Sequence, residues 1–244
     1  PDGADLPYPR GGMGDHMTGL AAAAGVSAAL FNRTRTGRGE LVATSLLRLG
    51  AYMHGWDHNV TARLDRETEP VSRSAPPNPL INGYRCGDGR WVWLLGMEAD
   101  RHWPGMVAAF EKPEWEHDPR FDTVEQRMEN SATLVAAMDE VFATRTRAEW
   151  AEIFDRHDVW WAKVQTTMDL RNDEQARAAG CWVESPLPDG GTAEMVATPV
   201  DFGMMPWAVR EPPPELGQHT ELILIEHGVD WDRIEELKAA GTIP

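Results

Sequence analysis

Few features of this 244-residue chain point outside a packed, water-facing protein. It has two cysteines, Cys86 and Cys181, too few for a disulfide framework, and both read as reduced thiols. No apolar run reaches the roughly 18 to 20 residues that cross a bilayer. The longest, residues 20–31, is short and alanine-rich. No Cys/His cluster has zinc spacing, and neither an internal repeat nor a low-complexity tract appears. Positive charge is scarce: 23 Lys and Arg stand against 39 Asp and Glu, a net charge of −16. Nucleic acid and anionic membrane both need a basic face, so neither is expected as a partner. No signal peptide is visible at the first residue, and the cytoplasm is the expected location.

The rest of the composition is that of a globular domain, with 42% hydrophobic and 25% charged residues. Eleven tryptophans suit core and interface filling. Residues 1–14, rich in Pro and Gly, read as an extended arm. Asp15 then falls at a helix N-cap, followed by a small-residue helix to about residue 33, expected to be buried on more than one side. A glycine turn at 34–39, a short strand at 40–45 and one helix over 46–64 come next. A polar, proline-rich stretch separates this part from a hairpin around Asp88-Gly89. Helices follow over 100–110, 124–142 and 147–157, the last opened by a Thr146/Glu149 capping box. A second hairpin is expected around Asp189-Gly190-Gly191, and two helices close the chain. The domains read as 1–65, a linker 66–82, a small α+β domain 83–168, and a return segment with C-terminal part at 169–244.

Asp15 is the residue with the clearest chemistry. A carboxylate at a helix N-terminus sees the positive end of the macrodipole and free backbone N–H groups, and both favour the charged, nucleophilic form. Taken alone it reads as an ordinary cap. His54 and His58 lie four residues apart but lack a third ligand, so no metal site is expected. Arg33, Arg35 and Arg38 flank the glycine turn, either as a positive rim for an anion or as solvated helix-end cations. Glu98 reads as a surface helix cap.

Several motifs occur in one order. Gly14-Asp15 leads the small-residue helix; Arg33, Thr36, Gly37 and Gly39 form the turn; Ser45-Leu46 follows. Tyr84-Arg85 precedes Asp88-Gly89. Asp118-Pro119-Arg120-Phe121 comes with Arg127 and Asn130, and Pro214-Glu215-Leu216-Gly217-Gln218-His219-Thr220 closes the pattern. Over nearly its whole length the chain resembles the C-terminal portion of family III CoA-transferases, the CaiB/BaiF family, without their N-terminal part.

That resemblance implies an α/β fold: part of a Rossmann-like large domain plus a small α+β domain. It implies Asp15 as the catalytic carboxylate, with Gly11, Gly12, Gly14, Arg38 and Leu46 around substrate or coenzyme A. Acyl-CoA and a carboxylic acid would be the substrates, with no permanently bound cofactor. The full-length protein would be an interlocked homodimer, with the CoA nucleotide held mostly by the N-terminal half, and this chain alone would turn over poorly. A 2-methylacyl-CoA racemase or epimerase, in which the aspartate acts as a base, is the alternative within the family. An inactive fragment or partner subunit is the alternative outside it.

Overall fold

The structure is a computed structural model that describes residues 10–68, 70–204, 208–209 and 211–244. Most of the N-terminal arm expected over residues 1–14 therefore lies outside the described residues. The chain divides into two units, Pro1–Lys163 and Val164–Pro244, each mixing helix and sheet.

The first unit opens with α1, Met13–Thr36. Gly12, at φ 75°, is its N-cap, so the helix starts before Asp15, which becomes its third residue rather than its cap. The left-handed conformation at Gly12 costs a glycine nothing and lets the chain turn directly into the helix. At the other end Gly37, at φ 70°, donates its N–H to Arg33 O, so the helix runs three residues past the expected stop. The burial expected for α1 is not seen, for none of its described residues is buried. Phe31 is 67% exposed, and Met13, Leu20, Val26 and Leu30 are also open.

The expected strand over 40–45 is irregular and carries no ladder pairing among the described residues. Its β-branched and apolar composition favours an extended backbone, but a strand also needs a partner edge. The segment crosses α1 closely: a Cβ at Gly25 would stand 2.9 Å from Val42 Cγ1. The expected helix over 46–64 is two, α2 (Leu46–Met53) and α3 (Gly55–Leu64), with His54 serving as C-cap of one and N-cap of the other. Ser45 caps α2 by accepting the Arg48 N–H.

The aromatic core lies further along. Strands β1 (Gly83–Arg85) and β2 (Trp91–Leu94) pair antiparallel, with Tyr84 opposite Val92, around the expected turn, where Gly89 takes φ 78°. A third strand, β3 (Trp161–Val164), adds to β2. Around this sheet stand α4 (Ala99–Phe110), a 3-10 helix (Pro113–His117), α5 (Val124–Glu129), α6 (Ser131–Phe142) and α7 (Arg147–Arg156). The single helix expected over 124–142 is broken at Asn130, whose side chain bonds back to Gln126 O and Arg120 O. The capping box at Thr146 and Glu149 forms as expected.

Alternation on β2 points Val92 and Leu94 inward and Trp91 and Trp93 outward. Phe142 stacks on Tyr84 at 4.7 Å and meets Phe110, Trp150 and Phe154 within 6 Å. Two buried polar groups here find acceptors, Tyr84 OH donating to Pro79 O and Trp150 Nε1 to Phe142 O, while Trp103 Nε1 has no partner among the described residues. The proline-rich stretch before β1 is partly core, since Pro76, Pro79 and Leu80 are buried.

The second unit holds α8 (Thr167–Arg171), α9 (Glu174–Ala178), a hairpin of β4 (Trp182–Pro186) and β5 (Thr192–Val196), α10 (Thr220–Glu226) and α11 (Trp231–Ala239). The hairpin turns where Asp189-Gly190-Gly191 predicts, with Gly190 at φ 85°. Glu194 accepts from Arg171 and Arg177, and these cations, Arg177 foremost, hold its carboxyl below the usual range. Ile234, Ala176 and Ser185 are its buried residues among those described.

Candidate active site

The first turn of α1 sets the geometry around Asp15. Gly12 bends the chain into the helix, and His16 donates its N–H to Gly12 O at 2.9 Å. The His16 ring rests over Gly12, where a Cβ would stand 3.4 Å from His16 Cε1. At Gly14 a Cβ would lie 3.6 Å from Leu46 Cδ2, so the start of α2 packs against the turn that carries Asp15. Around Gly11 there is open space. Asp15, Gly12, Gly14 and Leu46 are thus brought together.

Asp15 itself is exposed, and among the described residues its carboxylate takes part in no hydrogen bond or ion pair. The early N–H groups of a helix have no intrahelical acceptor, so the carboxylate sits beside free donors and the positive end of the dipole. One turn on, at the i+3 position that shares Asp15's side of the helix, the Thr18 hydroxyl oxygen is buried without a partner among the described residues. No sequence motif marks Thr18, and only packing reveals its oxygen.

Arg38 is not part of this cluster. It lies beyond the far end of α1, and at 1.5 Å per residue about 30 Å of helix separates it from Asp15. There the motif residues build a helix stop. Thr36 Oγ1 donates to Asn32 O at 3.1 Å and accepts from the Arg38 N–H at 3.3 Å, while Gly37 supplies the left-handed residue. Glu98 is the N-cap residue of α4, and its carboxylate pairs with Arg101 at 3.0 Å. His54 is spent on the break between α2 and α3.

The downstream motif is structural. Asp118 pairs with Arg120, Phe121 is buried, and Arg127 donates to Phe121 O at 2.7 Å. Cys86 is buried, and desolvation followed by the charge of Asp88 pushes its thiol up to about 11. Among the described residues, clefts of about 690, 820 and 460 Å³ open in this unit away from Asp15. Among the described residues no group of three acidic, His or Cys side chains could hold a metal ion, and no helix is long and apolar enough to cross a membrane.

Comparison with known proteins places these features. The family described as CoA-transferase family III matches residues 4–220, a stretch that contains Asp15. The (R)-2-hydroxy-4-methylpentanoate CoA-transferase of Clostridioides difficile is 33% identical over 233 residues, covering 95% of this chain and 58% of that enzyme. The cinnamoyl-CoA:phenyllactate CoA-transferase of Clostridium sporogenes is 29% identical, covering 93% of this chain and 56% of its own length. Among solved structures, a CaiB/BaiF family protein from Brucella suis superposes with a TM-score of 0.75 at 21% identity, covering 93% of this chain and 58% of that one. Rv3272 from M. tuberculosis gives a TM-score of 0.71 at 20% identity, covering 91% and 59%. The fold is therefore the α/β fold of these proteins, and the chain spans less than two thirds of the length of the relatives it matches.

Proposed function

The chain belongs to CoA-transferase family III, and from that membership we propose that it contributes the nucleophilic carboxylate, Asp15, to transfer of coenzyme A between carboxylic acids. One observation carries the reading: inside the matched region, Asp15 stands exposed and unpaired in the first turn of α1, within a turn packed against Leu46. A carboxylate tied into an ion pair would have to break it before attacking carbon; this one has none to break among the described residues.

In the proposed reaction an Asp15 carboxylate oxygen attacks the acyl carbon of an acyl-CoA and the thiolate of CoA leaves. The product is a mixed anhydride. The thiolate then attacks the aspartyl carbonyl carbon and expels the donor carboxylate, leaving an aspartyl-CoA thioester. An acceptor carboxylate repeats the two steps in reverse and departs as the new acyl-CoA. Each tetrahedral intermediate needs hydrogen-bond donors for its oxyanion, and the leading N–H groups of α1 are the nearest candidates. Acyl-CoA and free acid are substrates, and the scheme requires no resident cofactor. Gly11, Gly12, Gly14 and Leu46 belong to the surroundings of that site; Arg38, at the far end of α1, would serve only an extended ligand such as the CoA nucleotide.

The residues missing relative to the matched enzymes belong to the same proposal. The full protein is read as an interlocked cytoplasmic homodimer. Its large domain draws on residues 1–65 and 169–244, and its small domain on 83–168, with 66–82 as linker. Because Asp15 is open to water, little or no turnover is expected from residues 1–244 alone. The test is intact-mass spectrometry with a panel of acyl-CoAs and hydroxylamine trapping, on this chain and on a version extended to the relatives' length. An adduct on Asp15 in the extended protein, lost in Asp15→Ala, is the expected result. Solvent deuterium entering the α-carbon with no adduct would refute the transferase reading.

A further inference from the structure

Outside the α1 region, the outer face of the β1–β2 hairpin carries two exposed indoles. Trp91 and Trp93 both point outward from β2, 38% and 42% exposed. In the register of the hairpin, Arg85 is the direct neighbour of Trp91 and Gly83 that of Trp93. Gly83 leaves room for the indole, since a Cβ there would stand 3.2 Å from Trp93 Cε3. A cleft of about 820 Å³ opens over Trp91 and Arg85, and an apolar cleft of about 460 Å³ opens over Trp93 and Ile81. Arg73 lines both. Their volumes are those of small-molecule sites.

The charges of the larger cleft balance in number but are paired unevenly. It is lined by two cations, Arg73 and Arg85, and two acids, Asp88 and Asp139. Asp139 is taken by Arg73 in a two-pronged pair, and Arg73 also donates to Gly83 O and lies 5.5 Å over the Trp91 ring. Asp88 accepts the backbone N–H groups of Arg90 and Arg147. Arg85 is left with one long bond, 3.4 Å to Gly89 O, and no acid partner among the described residues. Arg85 thus presents its guanidinium beside the half-exposed Trp91 with no carboxylate partner among the described residues.

The geometry points to a binding site for an aryl carboxylate on this face, with the ring on Trp91 and the carboxylate on Arg85. A planar guanidinium fits a carboxylate with two parallel N–H bonds, and an indole face fits a ring by offset stacking. The site makes no use of Asp15, so it stands or falls separately from the transfer reaction.

The test is calorimetric titration of the full chain with 3-phenylpropanoate. Saturable one-to-one binding is expected. Arg85→Ala should weaken it about tenfold or more, and so should replacing the ligand by 3-phenylpropan-1-ol, which keeps the ring and drops the charge. Trp91→Ala should weaken it severalfold, and acetate should show no saturable binding. Arg85→Gln, which keeps the stem and a polar tip, should reproduce the loss if Arg85→Ala does not fold. Asp15→Asn should bind as the parent chain does. Unchanged affinity in the Arg85 variant that folds, equal affinity for the alcohol, loss of binding in Asp15→Asn, or no saturable binding would each overturn the assignment.

Discussion

Substitution of Asp100 tests whether the Arg127 clamp holds the small core together. The Arg127 side chain is 2% exposed and Asp100 is 75% exposed, and the two form a short ion pair. Nη1 of Arg127 donates to Phe121 O at 2.7 Å, and the guanidinium lies 4.9 Å over the Trp103 ring. Removing one partner of a fully buried ion pair costs about 3–5 kcal/mol, because the survivor stays charged in a dry site. Asp100 faces water, and exposed pairs contribute less than about 1 kcal/mol, so the value here lies between. Asp100→Ala should therefore cost about 1–2 kcal/mol. Arg127→Leu should cost more, about 3 kcal/mol, since it also removes the donor to Phe121 O and the cation over Trp103. With a urea slope near 2.5 kcal/mol/M, the first change lowers the midpoint by about 0.6 M. Tryptophan fluorescence during urea unfolding follows both, because Trp103 and Trp115 lie in this core. The double variant should be no worse than Arg127→Leu alone, which gives a coupling of about 1–2 kcal/mol. If Asp100→Ala costs as much with Arg127 absent as with it present, the two do not interact and the account of the clamp is wrong.

Three further outcomes follow from the same geometry. Gly105→Ala would put a Cβ 2.7 Å from His157 O, a backbone atom that cannot swing aside, and should lower stability by about 2 kcal/mol; Gly25→Ala, which meets only the tip of Val42, should cost much less on the same thermal melt. The Thr146 backbone N–H and then its hydroxyl hold the Glu149 carboxyl below its usual value, so the capping box stabilises above the unfolded-state carboxylate pKa and weakens as pH falls through the lower folded one. The stability gap between the parent chain and Glu149→Gln should accordingly close in acid, and a constant gap from pH 7 to pH 3 would contradict it. Hydrogen exchange should show α6, with Leu134, Val135, Met138 and Phe142 buried, protected far longer than α1, which buries none of its described residues; equal protection would refute that ordering.

Local signals were the legible part of this fold. Asp88-Gly89 and Asp189-Gly190-Gly191 mark hairpins because a tight turn needs φ > 0, and each hairpin is present with Gly89 and Gly190 left-handed. Thr146 and Glu149 mark a helix start because they satisfy each other's backbone N–H groups. Strand β3 escaped the sequence because its place is set by a neighbour more than sixty residues earlier, not by its own pattern. Residues 40–45 erred the other way, with strand composition but no ladder partner among those described. In the candidate site, Asp15, expected as the N-cap, stands third in α1, and the approach of Leu46 to Gly14, where a Cβ would lie 3.6 Å from its Cδ2, joins two elements. The buried Thr18 oxygen could not be read, since burial is a property of packing.

The two halves of the first unit differ in what their apolar residues do. From Leu80 to Val159 the large side chains close on one another, and the core is built from aromatic contacts between β1, α4, α6 and α7. From Met13 to Leu64 a comparable supply of apolar side chains stays open, Leu41 at 92% and Leu47 at 84% exposed, with Leu49 the buried member. Exposed apolar surface on that scale marks a face that packs against something. The proposed chemistry makes the same demand, since a mixed anhydride is hydrolysed unless water is kept from it. One surface laid over α1 would meet both needs: it would bury the apolar side chains and close the space above the Asp15 carboxylate. This is why the adduct experiment pairs residues 1–244 with the extended protein. In that proposal Asp15 would supply the nucleophile, and an apolar cover over α1 would supply its dry environment.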